Sequence, residues 1–139
     1  MRSLYIITIF LFCLLICLMA GCGDRAVPAG EQFAVYIRND TGADAYAIQL
    51  DYTLGGDILG SVAGCYADNS PIKPGASMDF QFLPEDFPVN ADLSQFSVQL
   101  QTLDRNGNPS SAEFSVSFPA AYGEIYEISL SGSSSRLIP

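Results

Sequence analysis

The alternation in residues 46–54 constrains the fold of this chain more than any other stretch of its sequence. Apolar side chains at Tyr46, Ile48, Leu50, Tyr52 and Leu54 alternate there with small or polar ones. Successive side chains of a β-strand point to opposite faces of the sheet. A period of two over this length therefore predicts a β-strand with one buried face and one solvated face.

Similar alternation recurs on both sides of this run. It is carried by Phe33, Val35 and Ile37, by Met78, Phe80 and Phe82, by Phe96, Val98 and Leu100, by Ala112, Phe114, Val116 and Phe118, and by Tyr126, Ile128 and Leu130. Residues 58–67 form a weaker strand, in which Gly60 and Gly64 indicate a bulge or a close approach of two backbones.

Turn-forming sequences separate these runs, among them Gly55-Gly56-Asp57 and the Asn106-Gly107 pair, which are typical of hairpins. The longest irregular connection, residues 84–94, contains Phe87 and Leu93, which we expect to hold it against the core. About seven short strands with no helical period predict an all-β protein. Its expected architecture is an antiparallel immunoglobulin-like β-sandwich. A small closed barrel is the alternative.

The first twenty-two residues have a different character. After Arg2, residues 4–20 form an almost unbroken apolar run that ends in small residues. A basic start, an apolar core and small residues before a cleavage point are typical of a secretory signal, here a hydrophobic signal helix in residues 1–21. An uncleaved transmembrane helix is the alternative, since seventeen apolar residues fall at the short end of the range that spans a bilayer.

The sequence Met19-Ala20-Gly21-Cys22 resembles the lipobox of bacterial lipoproteins. The resemblance implies that the signal is cut before Cys22 and that the Cys22 sulfur carries a diacylglyceryl group. Two acyl chains suffice for stable attachment to a membrane, whereas one gives only marginal binding. We therefore expect a lipidated Cys22 at the outer face of a bacterial cell membrane.

Four segments, residues 36–52, 68–82, 86–96 and 122–132, are similar to small, uncharacterised lipoproteins of Gram-positive bacteria. That resemblance supports the location and the fold but implies no activity. The expected organisation is a signal peptide at residues 1–21 and the lipidated cysteine with a flexible tether at 22–32. A β-sandwich at 33–132 and a C-terminal tail at 133–139 follow.

The net charge of the chain limits the kinds of partner that it can bind. Fifteen acidic residues oppose six basic ones, which gives a net charge of −9. Such a protein is repelled by phosphates and anionic lipid headgroups, so we do not expect it to bind nucleic acid or to dock on a membrane through a basic patch. The expected partners are the membrane, through the anchor on Cys22, and a surface protein or glycan.

The residue types needed for common catalytic systems are missing. The chain contains no histidine, which removes Ser-His-Asp and Cys-His nucleophiles and histidine metal sites. Cys65 is the cysteine left after processing and lipidation, so no internal disulfide is expected. A buried cysteine acting as a small apolar residue is the favoured interpretation, with a reactive thiol as the alternative.

Two further patterns suggest catalysis only weakly. Ser70 and Lys73 match a Ser-x-x-Lys motif, but the prolines around them predict a loop. Carboxylates are also paired in sequence, at Glu85 and Asp86 and at Glu124 and Glu127. The last two have opposite parity on a strand and would point to opposite faces of the sheet. All four are expected to be solvated surface charges rather than a glycosidase pair. No catalytic residue and no cofactor is predicted.

Calcium is a weaker possibility that rests on the acidic loops. Asp104, Asn106 and Asn108 alternate as calcium ligands do, without the glutamate that completes an EF-hand. The turn residues Asp40, Asp44 and Asp57 could also cluster. The simpler interpretation is that these side chains form turns by bonding their own backbone, and no metal site is assigned.

The tyrosines offer a last recognition surface. Tyr46, Tyr52 and Tyr126 share parity with aliphatic neighbours and are expected in the core or at its rim, whereas Tyr36, Tyr66 and Tyr122 could point outward. The leading hypothesis is a membrane-anchored, non-enzymatic binding module of unknown ligand. The alternatives are an accessory factor or enzyme that acts on cell-wall or surface polymers through carboxylates, and a structural envelope lipoprotein without a ligand.

Overall fold

The computed structural model describes residues 30–111, 113–132 and 134–138, the last range by its backbone alone. The predicted signal at 1–21, Cys22 and most of the tether lie outside the described residues. The strands of this part are β1 (Phe33–Asn39), β2 (Ala47–Leu54), β3 (Asp57–Gly64), β4 (Ser77–Phe82), β5 (Phe96–Leu103), β6 (Phe114–Phe118), β7 (Ile125–Ser131) and β8 (Ser134–Ile138), and two short 3-10 turns occupy Pro84–Asp86 and Leu93–Gln95. None of the helical segments in these ranges has the length and hydropathy to cross a bilayer.

The strands form two four-stranded sheets, which confirms the predicted β-sandwich. One sheet has the order β4-β1-β7-β8 and the other the order β3-β2-β5-β6. All neighbouring strands are antiparallel except β1 and β7, which run parallel. The immunoglobulin-like strand order is not confirmed, because constant-type immunoglobulin domains pair their first strand with the second, whereas β1 lies between β4 and β7.

The strand with the clearest alternation forms as predicted. In β2 the side chains of Ile48, Leu50 and Tyr52 are buried, and β2 pairs with β3 on one side and β5 on the other. Gly55 and Gly56 connect β2 to β3 with φ angles of 61° and 96°. Two consecutive positive φ angles are what a tight hairpin turn of this hand requires, so the glycines fix the predicted hairpin.

The C-terminal residues differ from the expected tail. Residues 134–138 form β8, which pairs with β7 from Ser131 opposite Ser134 to Glu127 opposite Ile138. Serine has little preference for strands and the segment lacks a clear apolar alternation, so the sequence gives no strand signal. The pairing instead uses the backbone groups of β7, which would otherwise form a free sheet edge.

Aromatic rings fill one end of the sandwich, here called the aromatic end. The ring of Phe33 lies 5.0 Å from that of Phe82, 5.2 Å from that of Phe96 and 5.9 Å from that of Phe87, measured between centroids. The chain enters the domain here, since the N–H of Gly123 donates to the carbonyl oxygen of Gln32 at 2.7 Å. The residues directly before β1 therefore meet the domain at its aromatic end.

The connection from β4 to β5 also covers the aromatic end. Phe87 and Leu93 are both buried, as the sequence predicted. The Asp86 carboxylate accepts the backbone N–H of Leu83 at 2.7 Å, and the Asp92 carboxylate accepts that of Ser94 at 3.0 Å. These side-chain bonds hold the two 3-10 turns where no sheet partner is present.

Polar contacts hold the opposite end, here called the loop end. The buried side-chain amide of Asn39 donates to the carbonyl oxygens of Ala43 and Ile72, both at 2.8 Å. Its own oxygen accepts the hydroxyl of Thr41 at 2.7 Å. Ile72 also bridges to Ala45, so Asn39 joins the loop after β1 to the loop before β4.

Candidate functional site

A groove of about 270 Å³ opens along one side of the sandwich, between β3 of one sheet and β4 of the other. Both strands are sheet edges, each with a single strand neighbour. The groove is lined by Tyr52, Val62, Ala63, Gly64, Asp79, Phe80, Gln81, Phe82 and Asp86. On the opposite side of the sandwich β6 lies beside β8.

The groove follows from the small side chains of β3. The positions of β3 opposite buried β2 residues are Gly60, Val62 and Gly64, which pair with Tyr52, Leu50 and Ile48. Two of the three inward positions therefore carry no side chain, and the edge of this sheet is thin. Val62 is 41% exposed although it shares a face with core residues.

Aromatic side chains form the floor of the groove. The Tyr52 ring stands edge-on to Phe82 at 5.2 Å and to Phe87 at 6.1 Å, and its side chain is almost fully buried. Burial, with a smaller contribution from the negative charge of Asp86, raises the pKa of Tyr52. The phenol is protonated at neutral pH, as an ordinary tyrosine also is, and can donate a hydrogen bond.

The charged side chains that line the groove are two carboxylates. Asp86 accepts the backbone N–H of Leu83, and Asp79 accepts the side-chain amide of Gln81 at 3.4 Å. No basic side chain is among the described residues that line it. The site thus combines an apolar floor with a negative rim, a combination that suits cationic and apolar groups together.

A second, more polar concavity of about 670 Å³ lies at the loop end. Its lining includes Cys65, Asp68, Asp104 and Arg105. The Arg105 guanidinium lies 4.9 Å from the ring centroid of Tyr46 and donates to its hydroxyl at 3.2 Å. Stacking of this kind fixes the arginine beside the two carboxylates.

Cys65 was expected to be buried, and that prediction is wrong. The thiol is exposed. β3 ends at Gly64, so Cys65 is the first residue beyond the ladder and lies at the rim of the loop-end cleft. The alternation of residues 58–67 does not reveal this, because a strand that ends at residue 64 and one that ends at residue 67 have the same pattern.

The acidic residues considered for calcium serve the turns instead. The Asp104 carboxylate accepts the backbone N–H groups of Asn106 at 2.8 Å and Asn108 at 2.9 Å, and these bonds lower its pKa. Asp57 is at the aromatic end and Asp40 at the loop end, so they do not meet. Among the described residues no three acidic, cysteine or histidine side chains converge on one point.

The sequence motifs considered for catalysis are parts of loops and edges. Ser70 and Lys73 flank the buried Ile72 in the loop before β4, and the Ser70 N–H donates to the Asp68 carboxylate at 3.0 Å. Glu127 forms an ion pair with Arg38 at 3.0 Å, and Glu124 is exposed ahead of β7. These carboxylates lie where surface charge was expected.

The outward tyrosines do not form an exposed aromatic platform. Tyr66 and Tyr122 are partly buried and pack against the core, and Tyr36 is half-buried. Tyr126 also packs on the core, and its hydroxyl donates to the carbonyl oxygen of Pro119 at 3.2 Å. Such a platform is the usual basis for stacking on a sugar ring, so the groove is the stronger candidate.

Sequence reasoning missed the groove itself. Val62, Phe80 and Asp86 come from three segments that only the sandwich brings together, so no single stretch of the sequence predicts that they share a site. The available signal was the spacing of Gly60 and Gly64 on either side of Val62, which predicts a bulge or close approach but not an open side. Cys22, the predicted lipidation site, lies outside the described residues.

No protein-family model matches this chain, and no curated protein matches its sequence. Solved structures with partial overlap include Lip of Serratia marcescens, described as a membrane-bound component of the type VI secretion system. Its sequence identity is 12% and its TM-score 0.46, and the overlap covers 78% of this chain and 98% of that one. The type VI secretion lipoprotein TssJ1 of Pseudomonas aeruginosa overlaps with 12% identity, a TM-score of 0.42 and coverage of 80% and 96%. A protein from Eubacterium rectale overlaps with 14% identity, a TM-score of 0.42 and coverage of 85% and 93%. TM-scores in this range assign neither a family nor a function.

Proposed function

We propose that this chain is a lipid-anchored bacterial lipoprotein whose β-sandwich binds other proteins outside the cytoplasm without catalysing a reaction. The location rests on the signal-like residues 1–21 and on Cys22, which resembles a lipidation site. The chain enters the sandwich at its aromatic end. An anchored domain would therefore turn its loop end away from the membrane and carry the groove along its side.

The groove between β3 and β4 is the observation that carries the binding function. It is partly open to solvent and is bounded by an edge strand of each sheet. Sites for small molecules are more often enclosed pockets of about 300–1,000 Å³. An open channel with an apolar floor and a negative rim suits an extended polypeptide better than a compact ligand.

The chemistry of the described side chains supports a non-enzymatic role. The chain has no histidine, and the carboxylates of Asp68, Asp92 and Asp104 accept hydrogen bonds from their own turns. Those bonds lower the pKa of each carboxyl group. A general acid at neutral pH needs a raised pKa, so these groups are poor candidates for that work.

A second candidate function is recognition of a surface polymer at the loop-end cleft. The observation that favours it is the grouping of Asp68, Asp104 and Arg105 around one concavity of about 670 Å³. Hydroxyl groups of a polymer could bond to both the carboxylates and the guanidinium. The absence of tryptophan from the sequence removes the strongest stacking surface for sugars.

The experiment separates location from binding in the full chain. Mass spectrometry of the membrane fraction should find a diacylglyceryl group on Cys22, and Cys22→Ser should release the protein from the membrane. A photoreactive amino acid in place of Val62 should then form adducts with a partner protein, whereas one in place of Ile125, an aliphatic residue of β7 that is 59% exposed, should not. Adducts at neither position would favour a structural lipoprotein without a ligand.

A further inference from the structure

β3 is a sheet edge without the usual protection against pairing. Its eight residues, Asp57–Gly64, contain one charged side chain, at the first position, and neither lysine nor proline. Natural edge strands commonly carry charges or proline, because unpaired N–H and C=O groups form a template for another strand. Along the rest of β3 the exposed residues are small or aliphatic.

A bulge blunts only the first part of this edge. The pairing of β3 with β2 shifts at Tyr52 and Thr53, which leaves Leu59 unpaired. From Gly60 to Gly64 the register is regular, with each residue opposite one residue of β2. Bulges discourage edge pairing by twisting a strand away, so the regular second half is the part open to a partner.

We infer that the second half of β3 accepts an extended, basic segment of a partner protein as an added β-strand, whose inward side chains enter the groove. This inference rests on the proposed binding function and specifies its mode. Main-chain hydrogen bonds to a sheet edge supply affinity in such complexes, and pockets for alternate side chains supply specificity. Here Val62 and Phe80 offer the apolar contacts for those alternate side chains.

The charge of the groove determines the chemistry of the added segment. Asp79 and Asp86 both line it, and no described basic residue does. A lysine or arginine among the inward side chains of the segment would therefore find opposite charge at the rim, while inward aliphatic side chains two residues away cover the floor. Charge complementarity of this kind sets the rate and the specificity of association more than its final strength.

A second copy of this chain is a poorer occupant. Pairing of two β3 edges would bring two identical acidic rims together in a protein whose net charge is −9. Like charges placed opposite one another at an interface weaken association and suppress such pairings. A basic partner meets the same surface with attraction instead.

The test uses the full lipidated chain in detergent micelles. The probe is a short synthetic peptide that repeats two lysines followed by two valines, so that each face of the extended strand carries both residue types. Its counterpart with glutamate in place of lysine controls for charge. Binding is measured by fluorescence anisotropy, and its site by hydrogen–deuterium exchange. Two further peptides have the lysine sequence with N-methyl groups at alternate residues, one form blocking each edge of the strand. They distinguish main-chain pairing from contact through side chains alone.

The lysine peptide should bind and should slow exchange in residues 60–64, with affinity falling as salt rises. The glutamate peptide and one of the two N-methylated forms should not bind. Val62→Lys should weaken binding by roughly tenfold or more, whereas Ile125→Lys, which adds the same charge to an exposed aliphatic position on β7, should not. Unchanged exchange of the core strands would show that the Val62→Lys variant is folded.

Several results would overturn the inference. They are failure of the lysine peptide to bind, protection confined to β4, equal binding of the glutamate peptide, or undiminished binding of both N-methylated forms. Sedimentation that reveals a dimer abolished by Val62→Lys would identify a second copy as the occupant and would also overturn it. Photoadducts of position 62 with a different protein, together with any of these results, would leave the proposed binding function standing and remove only strand addition.

Discussion

A Cβ atom on Gly60 would lie 2.5 Å from the hydroxyl oxygen of Tyr52 and 2.7 Å from Cε1 of its ring. The missing side chain of Gly60 is therefore what lets the Tyr52 ring lie across the β2–β3 pair and form the floor of the groove. Gly60 has no positive φ angle, so its requirement for glycine is one of space. The pair links the edge strand to the aromatic end of the core.

We predict that Gly60→Ala destabilises the domain by about 1–3 kcal/mol, the usual cost of overpacking. The Tyr52 ring cannot turn aside easily because it packs between Phe82 and Phe87. Urea unfolding of the two proteins measures the difference. Gly64→Ala is the matched comparison and should cost less, because the nearest atom there is Cγ of Met78, a flexible side chain. Equal costs would contradict this account of the site.

A second prediction concerns Asn39 at the loop end. Its fully buried amide donates to the carbonyl oxygens of Ala43 and Ile72. Asn39→Ala should lower the free energy of unfolding by about 1–3 kcal/mol, because buried polar groups lose their partner. Asn39→Asp should be worse at neutral pH, since it turns a buried negative charge toward two carbonyl oxygens.

The comparison of the two Asn39 variants includes its own control. Acid should relieve part of the cost of Asn39→Asp by protonating the new carboxyl group, but should leave that of Asn39→Ala unchanged. Denaturant unfolding at two pH values measures both. An aspartate variant as stable as the wild type at neutral pH would mean that the two carbonyl contacts contribute little.

A third prediction concerns the dependence of stability on pH. The Asp40 carboxylate accepts a hydrogen bond from the Ser129 hydroxyl, and the Arg38 guanidinium lies 2.7 Å from the same carboxylate. These two contacts lower the pKa of Asp40. A carboxyl group whose pKa is lower in the folded state contributes stability above its unfolded pKa of about 4 and loses it as pH falls through the folded value. Asp40→Asn should therefore destabilise the domain at pH 7 and progressively less below pH about 4. Asp44→Asn, in the same loop but exposed, serves as the control and should show a smaller difference.

The sequence predicted the β-sandwich well where local periodicity reports burial. Phe33, Leu50 and Val98 lie on the faces that the alternation predicts, and all three are buried. Strand order was beyond reach because the parallel pairing of β1 with β7 joins segments about ninety residues apart, and no local pattern encodes a partner at that distance. β8 was missed because the sequence of residues 134–138 has no clear apolar alternation, although its backbone pairs with β7.

The candidate site was less predictable than the fold for a related reason. Its floor and rim come from β2, β3, β4 and the turn after β4, and each contributes residues that look ordinary in their own segment. Asp86 reads as surface charge, and Val62 reads as a weak core position. The groove depends on the two edges standing side by side, a property of strand order rather than of sequence period.

A last prediction follows from the exposure of Cys65. In a fragment that begins at Gly23, Cys65 is the only cysteine, and its thiol lies at the rim of the loop-end cleft. Maleimide should therefore modify the folded fragment as fast as it modifies the same fragment in denaturant, because no unfolding step is needed to reach the sulfur. Cys65→Ser should change the free energy of unfolding, measured with urea, by no more than about 0.5 kcal/mol, as surface substitutions usually do. Modification slowed to the rate of global unfolding would show instead that the thiol is buried, and it would restore the interpretation of residues 58–67 as one continuous half-buried strand.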